Sequence, residues 1–190
     1  MHIRYLGDSY DIVKQNLLRW LSPLGEWAVH PMFTEAVSEA QAAAFARFLG
    51  ATLVSSDLLG GSTDRKAYFA GTRECGNLFL DPDTGLAVGP KPPKERPQYL
   101  FASELVELVN ARPGSLTLVV DQSLPRGRDE SALRVKLQHL GALGVSSFAY
   151  HSHASFILAA LKDSRVTEVF GHVLAASHLP ASRFVRAATT

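Results

Sequence analysis

Apolar residues recur along this chain in two rhythms, blocks with a period near 3.6 and short unbroken runs, and their succession predicts helices interleaved with buried strands. Ile12, Val13, Leu17, Leu18 and Leu21 fall at helical spacing, with Asp8 or Ser9 ready to cap and Pro23 just beyond the end, so a first helix is expected over Tyr10 to Leu21. Glu26 to His30 reads as a short strand stopped by Pro31, and the alanine-rich Ser38 to Leu49 as a second helix that Gly50 is placed to end. Asp57 to Gly76 has no clean period, and a short helix around Arg65 to Phe69 is the one element expected there. Asn77-Leu78-Phe79-Leu80 is apolar without alternation, which suits a strand covered on both faces, and it stops at Asp81-Pro82. Pro90, Pro92, Pro93 and Pro97, interspersed with Lys91, Lys94 and Arg96, mark a stiff exposed loop. A helix over Ala102 to Asn110 and a strand over Ser115 to Val120 follow, the strand ending in Asp121-Gln122. Beyond the basic loop Pro125 to Arg128 come a helix over Glu130 to Leu143, strands over Ser146 to Tyr150 and Ser155 to Leu161, a helix over Val166 to Ser177, and a short tail at Arg183 to Arg186.

Such alternation predicts one α/β domain over 1–190, a three-layer sandwich with a mostly parallel central sheet and helices on both faces. A hydrophobic content of 46% in 190 residues is enough for one core. In sheets of this kind ligands bind beyond the carboxyl ends of the strands. Three predicted strands end in polar residues, at Asp81-Pro82-Asp83, Asp121-Gln122 and His151-Ser152-His153, and these are expected to converge on one edge.

A formal charge of +1 carries no overall polyanion-binding signature, so any nucleic-acid role must rest on local basic clusters. Cys75 is the single cysteine, which excludes an internal disulfide and, with no histidine or cysteine cluster around it, argues against structural zinc; a reducing cytoplasm fits. The N-terminus lacks the apolar run of a signal peptide and no stretch is long and apolar enough to span a bilayer, so a cytoplasmic protein without membrane contact is expected.

Asp81 and Asp83 are the sharpest chemical signal. A carboxylate just after a buried strand is held rigidly and can polarise a water or stabilise positive charge developing on a sugar, while Gly85 lets backbone approach a ligand closely. The competing role is an Asx turn whose carboxylates bond nearby amides. His151 and His153 straddle Ser152 and are expected to project alike toward a leaving group, unless they are ordinary polar residues at a strand end. Gln122, beside Asp121, could bond a base edge or tie down a loop. Arg65 and Lys66, then Lys91, Lys94 and Arg96, then Arg126 and Arg128 form three basic loop regions able to hold phosphates or simply to stay solvated. Tyr5, Tyr68, Phe101 and Tyr150 could stack on a base or fill the core.

Two resemblances follow from these residues. Arg4-Tyr5-Leu6-Gly7-Asp8 with Asp11 and Lys14 resembles the lead-in of certain bacterial nucleic-acid adenine methyltransferases, and Leu80-Asp81-Pro82-Asp83 resembles their Asp-Pro-Pro-aromatic motif; the order of the motifs and the late strand pair Ser146 to Leu161 agree with that fold. His30-Pro31-Met32-Phe33 stands where that family carries the Gly-rich turn for S-adenosylmethionine. Between Leu78 and Leu158 the chain also resembles the uracil-DNA-glycosylase superfamily. There Asp81-Pro82 matches the water-activating Asp-Pro turn, Pro90 to Pro97 lies where a DNA-clamping loop would be, and His151-Ser152-His153-Ala154-Ser155 matches the late His-Pro-Ser loop. The opening Arg-Tyr-Leu-Gly-Asp and the central Leu-Asp-Pro-Asp are similar to bacterial genome-defence proteins, which implies altered phage DNA as substrate.

The leading expectation is a DNA glycosylase that flips out a modified base, needs no cofactor or metal and has no obligate protein partner. Asp81, Asp83, His151 and His153 would be catalytic, and Tyr5, Gly7, Asp8, Pro82, Gly85, Asp121, Gln122 and Ser155 would line the substrate site. Lys14, Lys91, Lys94, Arg96, Arg126 and Arg128 would hold the DNA backbone. The alternatives are an S-adenosylmethionine-dependent nucleic-acid methyltransferase or its degenerate relative, and a non-enzymatic binding module.

Overall fold

The computed structural model describes residues 3–125, 129–162 and 165–187. Helix α1 (Ser9–Leu21) begins where Asp8 accepts the amide of Asp11, and α2 (Glu39–Leu49) begins at a reciprocal Ser38–Gln41 capping box and ends at Gly50 in the left-handed region. Between and after them run β1 (Trp27–His30), β2 (Thr52–Leu53), the short α3 (Arg65–Tyr68) and β3 (Asn77–Leu80). The small strands β4 (Gly85–Ala87) and β5 (Tyr99–Phe101) bracket the proline-rich loop and pair with each other in parallel. The chain continues through α4 (Ala102–Asn110), β6 (Thr117–Val120), α5 (Asp129–Ala142), the hairpin β7 (Val145–His151) and β8 (Ser155–Leu161), then α6 (Arg165–Ser177) and β9 (Phe184–Arg186).

The main sheet has seven strands in the order β2-β1-β3-β6-β8-β7-β9. It is mixed, which corrects the expectation of a mostly parallel sheet. β2, β1, β3 and β6 run parallel, but β8 is antiparallel to both β6 and β7, and β9 is antiparallel to β7. The cause is the short turn at residues 152–154: parallel neighbours need a long crossover, and three residues can join only antiparallel strands. The expected tail is likewise a strand, because Phe184 and Val185 bury themselves beside Tyr150 and Ala149 of β7.

Alternate strand residues enter two separate hydrophobic clusters, as the pleat requires. Val29, Phe79, Leu118, Phe156 and Leu158 pack with α1, α2 and α6; Ala28, Leu78, Leu80, Val119 and Ile157 pack with α4 and α5. β3 is buried at all four positions, so its unbroken apolar run reflects cover on both sides. Since β7 runs in the same direction as β6, the carboxyl ends of β1, β3, β6 and β7 share one edge of the sheet. Backbone bonds tie these ends together: Asp81 N to His30 O at 3.2 Å, and Asp121 N to Ser155 O at 2.8 Å. Among the described residues no helix is long and apolar enough to cross a membrane.

Candidate functional site

At that edge, the amino-terminal turn of α1 meets the loop after β3. Lys14 donates to Asp81 Oδ2 at 2.8 Å and to Asp11 Oδ1 at 2.9 Å, and all three side chains are buried. Asp11 Oδ2 accepts the Gly7 amide at 2.9 Å, so the positive φ of Gly7 lets the N-terminal segment fold back onto α1. Above this triad lies a pocket of about 340 Å³ lined by Tyr5, Tyr10, Pro82 and Gln122 and by the carboxylates of Asp8, Asp11, Asp81 and Asp83. A volume at the small end of the usual ligand range, roughly 300–1,000 Å³, suits a single planar group with its sugar. A larger groove of about 930 Å³ runs beneath the amino ends of β1 and β2, past Arg19 and Arg47. Because ligands of open α/β sheets sit at the carboxyl ends, the smaller pocket is the candidate.

Its electrostatics are lopsided, with four aspartates and one lysine among the described residues that line it. Burial pushes the Asp81 carboxyl above the usual carboxylate range against the opposing pull of Lys14. For Lys14, burial works against the charge, but Asp81 and Asp11 outweigh it and raise its pKa, so the ammonium is held. A buried carboxylate with a raised pKa beside a fixed cation has the chemistry of a general base toward a bound water. The surplus negative charge favours ligands that donate hydrogen bonds or develop positive charge.

The structure brings together Tyr5, Asp8, Pro82, Asp83 and Gln122 around Asp81, with Gly7 beside them. Other expected residues lie elsewhere. Lys14, expected on the DNA backbone, is spent inside the triad, with only 7% of its side chain exposed. His151 and His153 do not project alike, because β7 ends at His151 and the chain turns over 152–154. The His151 Nδ1 lies 2.8 Å from Ser155 Oγ and its other nitrogen faces Asp129, whereas the His153 ring sits 5.3 Å from that of Tyr10 and does not line the pocket. Ser155, expected to touch substrate, is a buried member of β8 bonded to His151 and Asp121. Asp121 is fully buried and faces away from the pocket: its carboxylate takes Lys136 Nζ at 2.6 and 2.9 Å. Gly85 serves packing instead of ligand approach, since a Cβ there would stand 2.2 Å from Asp121 Oδ1.

That close approach yields a stability prediction. Gly85 has φ +137°, so Gly85→Ala adds both backbone strain and a clash with a carboxylate that Lys136 holds in place. A loss on the order of 2–4 kcal/mol is expected in urea unfolding; a change below about 0.5 kcal/mol would mean the β4 strand lifts away freely.

Basic residues divide in the same way. Arg65 is bound to Glu104 and to the Tyr99 carbonyl, and so is structural. Lys94 is exposed, while Lys91 lies 4.4 Å above the Tyr99 ring and Arg96 5.3 Å above Phe101. The loop that carries them is anchored to the site through Thr84 N to Gln98 O at 2.8 Å. Arg126 and Arg128 lie outside the described residues. Tyr68 and Tyr150 are packed in the two clusters.

Sequence reasoning missed Tyr10 and Lys136. For Lys136 a signal existed: it lies among Leu133, Leu137 and Leu140 on the apolar side of α5, where a lysine needs a buried partner. The S-adenosylmethionine implied by the methyltransferase resemblance does not fit the end of β1. There His30, Met32 and Phe33 are 0% exposed and packed into the fold, in place of an open glycine turn. Among the described residues no three His, Cys, Asp or Glu side chains are grouped to hold a metal ion. A scan against protein-family models and searches of curated proteins and of solved structures find no match to this chain.

Proposed function

We propose that this protein is a DNA glycosylase whose pocket over Asp81 receives one modified base swung out of the helix. The observation that carries the reading is the buried, raised-pKa Asp81 carboxylate at the floor of a pocket walled by Tyr5 and Tyr10. In this reading Asp81 orients a water toward the anomeric carbon and accepts its proton. The bond from that carbon to the base nitrogen breaks, its electron pair leaving with the base, and the water oxygen takes the base's place on the sugar. The four carboxylates lower the cost of the positive charge that builds on the sugar in between. In this reading His153, whose ring lies 5.3 Å from that of Tyr10, gives the departing base a proton. Incubating the protein with modified phage DNA and then with alkali should cut the strands at abasic sites; intact strands would overturn the reading.

An acidic pocket cannot hold phosphates, so the backbone has to be gripped from the neighbouring proline-rich loop. Replacing Lys94 and Arg96 together by Ala should flatten the dependence of log affinity on log salt by roughly 0.9 per lost contact, equally on all sequences. An unchanged slope would mean those side chains stay solvated in the complex.

A second reading, a degenerate relative of the nucleic-acid methyltransferases, is favoured by two observations. The residues of that resemblance, Asp8, Asp11, Lys14, Asp81 and Asp83, meet in one pocket, and the late strand pair forms an antiparallel hairpin between β6 and β9. Calorimetry with S-adenosylmethionine separates the two: saturable binding promotes the second reading, and none at millimolar concentration retires its catalytic form.

A further inference from the structure

The geometry points to Lys136, on α5 and outside the pocket, as a positioning residue that holds Gln122 and the turn from Asp81 to Gly85 in register across from each other. The inference rests on the proposed reading that this pocket is where the reaction occurs.

Gln122 lines the pocket with Asp81, and among the described residues its hydrogen bond is that of its amide to Thr84 O at 3.0 Å. What fixes it are its two neighbours. Lys136 Nζ reaches Asp121 Oδ2 at 2.6 Å, Asp121 Oδ1 at 2.9 Å and Ser123 Oγ at 2.6 Å, so one buried ammonium grips the residues on either side of Gln122. Those residues in turn grip β4. Asp121 Oδ1 accepts the Leu86 amide at 3.2 Å, and the Ser123 hydroxyl lies 3.3 Å from the Leu86 carbonyl oxygen. Thr84 and Leu86 are therefore both tied to 121–123, and between them Gly85 leaves no room for a side chain against Asp121. The turn carrying Asp81 and Asp83 ends in this clamp. Remove the ammonium and a buried carboxylate at 0% exposure loses its cation, so it must turn toward water and release Leu86, or protonate and accept the Leu86 amide more weakly.

A displacement of about 1 Å in a reacting constellation can cost about 100-fold in rate. DNA affinity, set by phosphate contacts on another loop, should hardly change. The test uses the full chain and two variants. In Lys136→Met/Asp121→Asn both members of the pair are made neutral, so no lone buried charge remains; Ser123→Ala, which removes a tie to Leu86 and keeps the ion pair, is the fallback should the double variant not fold. Hydrogen exchange at the Leu86 amide, measured without DNA, should accelerate about tenfold or more, reporting the opened clamp. Single-turnover base release from modified phage DNA should fall about 100-fold with Kd for the same DNA within about threefold. Unchanged exchange at Leu86, or faster exchange with an unchanged rate, overturns the proposal. If the parent protein itself releases no base, the glycosylase reading fails separately, and the clamp still stands or falls on the exchange at Leu86.

Discussion

Asp81→Asn is expected to lower base release on the order of 10³-fold, the loss typical of removing a positioned general base, while the protein stays folded. The stability half of this prediction follows from charge counting in the buried triad. With Asn at 81, Lys14 still has Asp11 at 2.9 Å, and one cation faces one anion. Lys14→Met does the reverse, leaving Asp11 and Asp81 buried together without their cation, and should cost about 3–5 kcal/mol. Rates measured on modified phage DNA and urea unfolding of both variants check the pair of outcomes. An Asp81→Asn protein that keeps full activity would remove the water-activating role. A Lys14→Met protein as stable as its parent would mean that the triad is not buried as a charged unit.

The second large effect is a dependence of stability on pH that originates at His30. This ring is fully buried at the end of β1, 4.6 Å from the Tyr68 ring and 5.4 Å from Phe69, with Nε2 at 3.4 Å from the Tyr68 carbonyl oxygen and Nδ1 without a hydrogen-bond partner among the described residues. Burial pushes its pKa down from 6.5 to about 4, only partly offset by the Tyr68 carbonyl and by the charge of Asp57. The folded protein thus keeps His30 neutral, whereas the unfolded chain protonates it near 6.5. His30's contribution is fully present above pH 6.5 and declines as the pH falls toward 4. At 1.36 kcal/mol per unit of pKa difference, the loss is about 3 kcal/mol. Asp81 works in the opposite sense, because a carboxyl raised by burial binds its proton more readily in the fold. The measurement is therefore a difference, urea unfolding of parent and His30→Phe between pH 7 and 4. The parent should lose about 3 kcal/mol more than the variant, and parallel curves would show that the ring is not held neutral.

How far these features were legible in the sequence follows from the range of the interactions behind them. α1 and α2 were readable because their caps are local: Asp8 bonds to Asp11, Ser38 to Gln41, and Gly50 ends the second helix in the left-handed region. β3 was readable from four consecutive buried residues. β4 and β5 were not, since three residues carry no period and their partners lie across a proline-rich loop. The direction of β8 was encoded in the brevity of the 152–154 turn, a signal that the alternation of strands and helices overrode. Asp81 was legible as the end of a buried strand, but its ion pair with Lys14 spans 67 residues and no periodicity reports it. Only the family resemblance joined the two motifs. The pairing of His151 and His153 failed for a local reason, a bend that rotates one ring toward Ser155 and the other toward Tyr10.

The long span of that ion pair also bears on the order of folding. The β7–β8 hairpin closes over a few residues and zips seven cross-strand pairs, from His151 opposite Ser155 to Val145 opposite Leu161, so it can form early and on its own. The Lys14–Asp81 bond closes only once α1 has docked on β3, after the entropy of a 67-residue separation has been overcome. The triad is accordingly expected to close after the hairpin has formed. Substitutions in the triad should then register chiefly as faster unfolding, and those in the hairpin as slower folding.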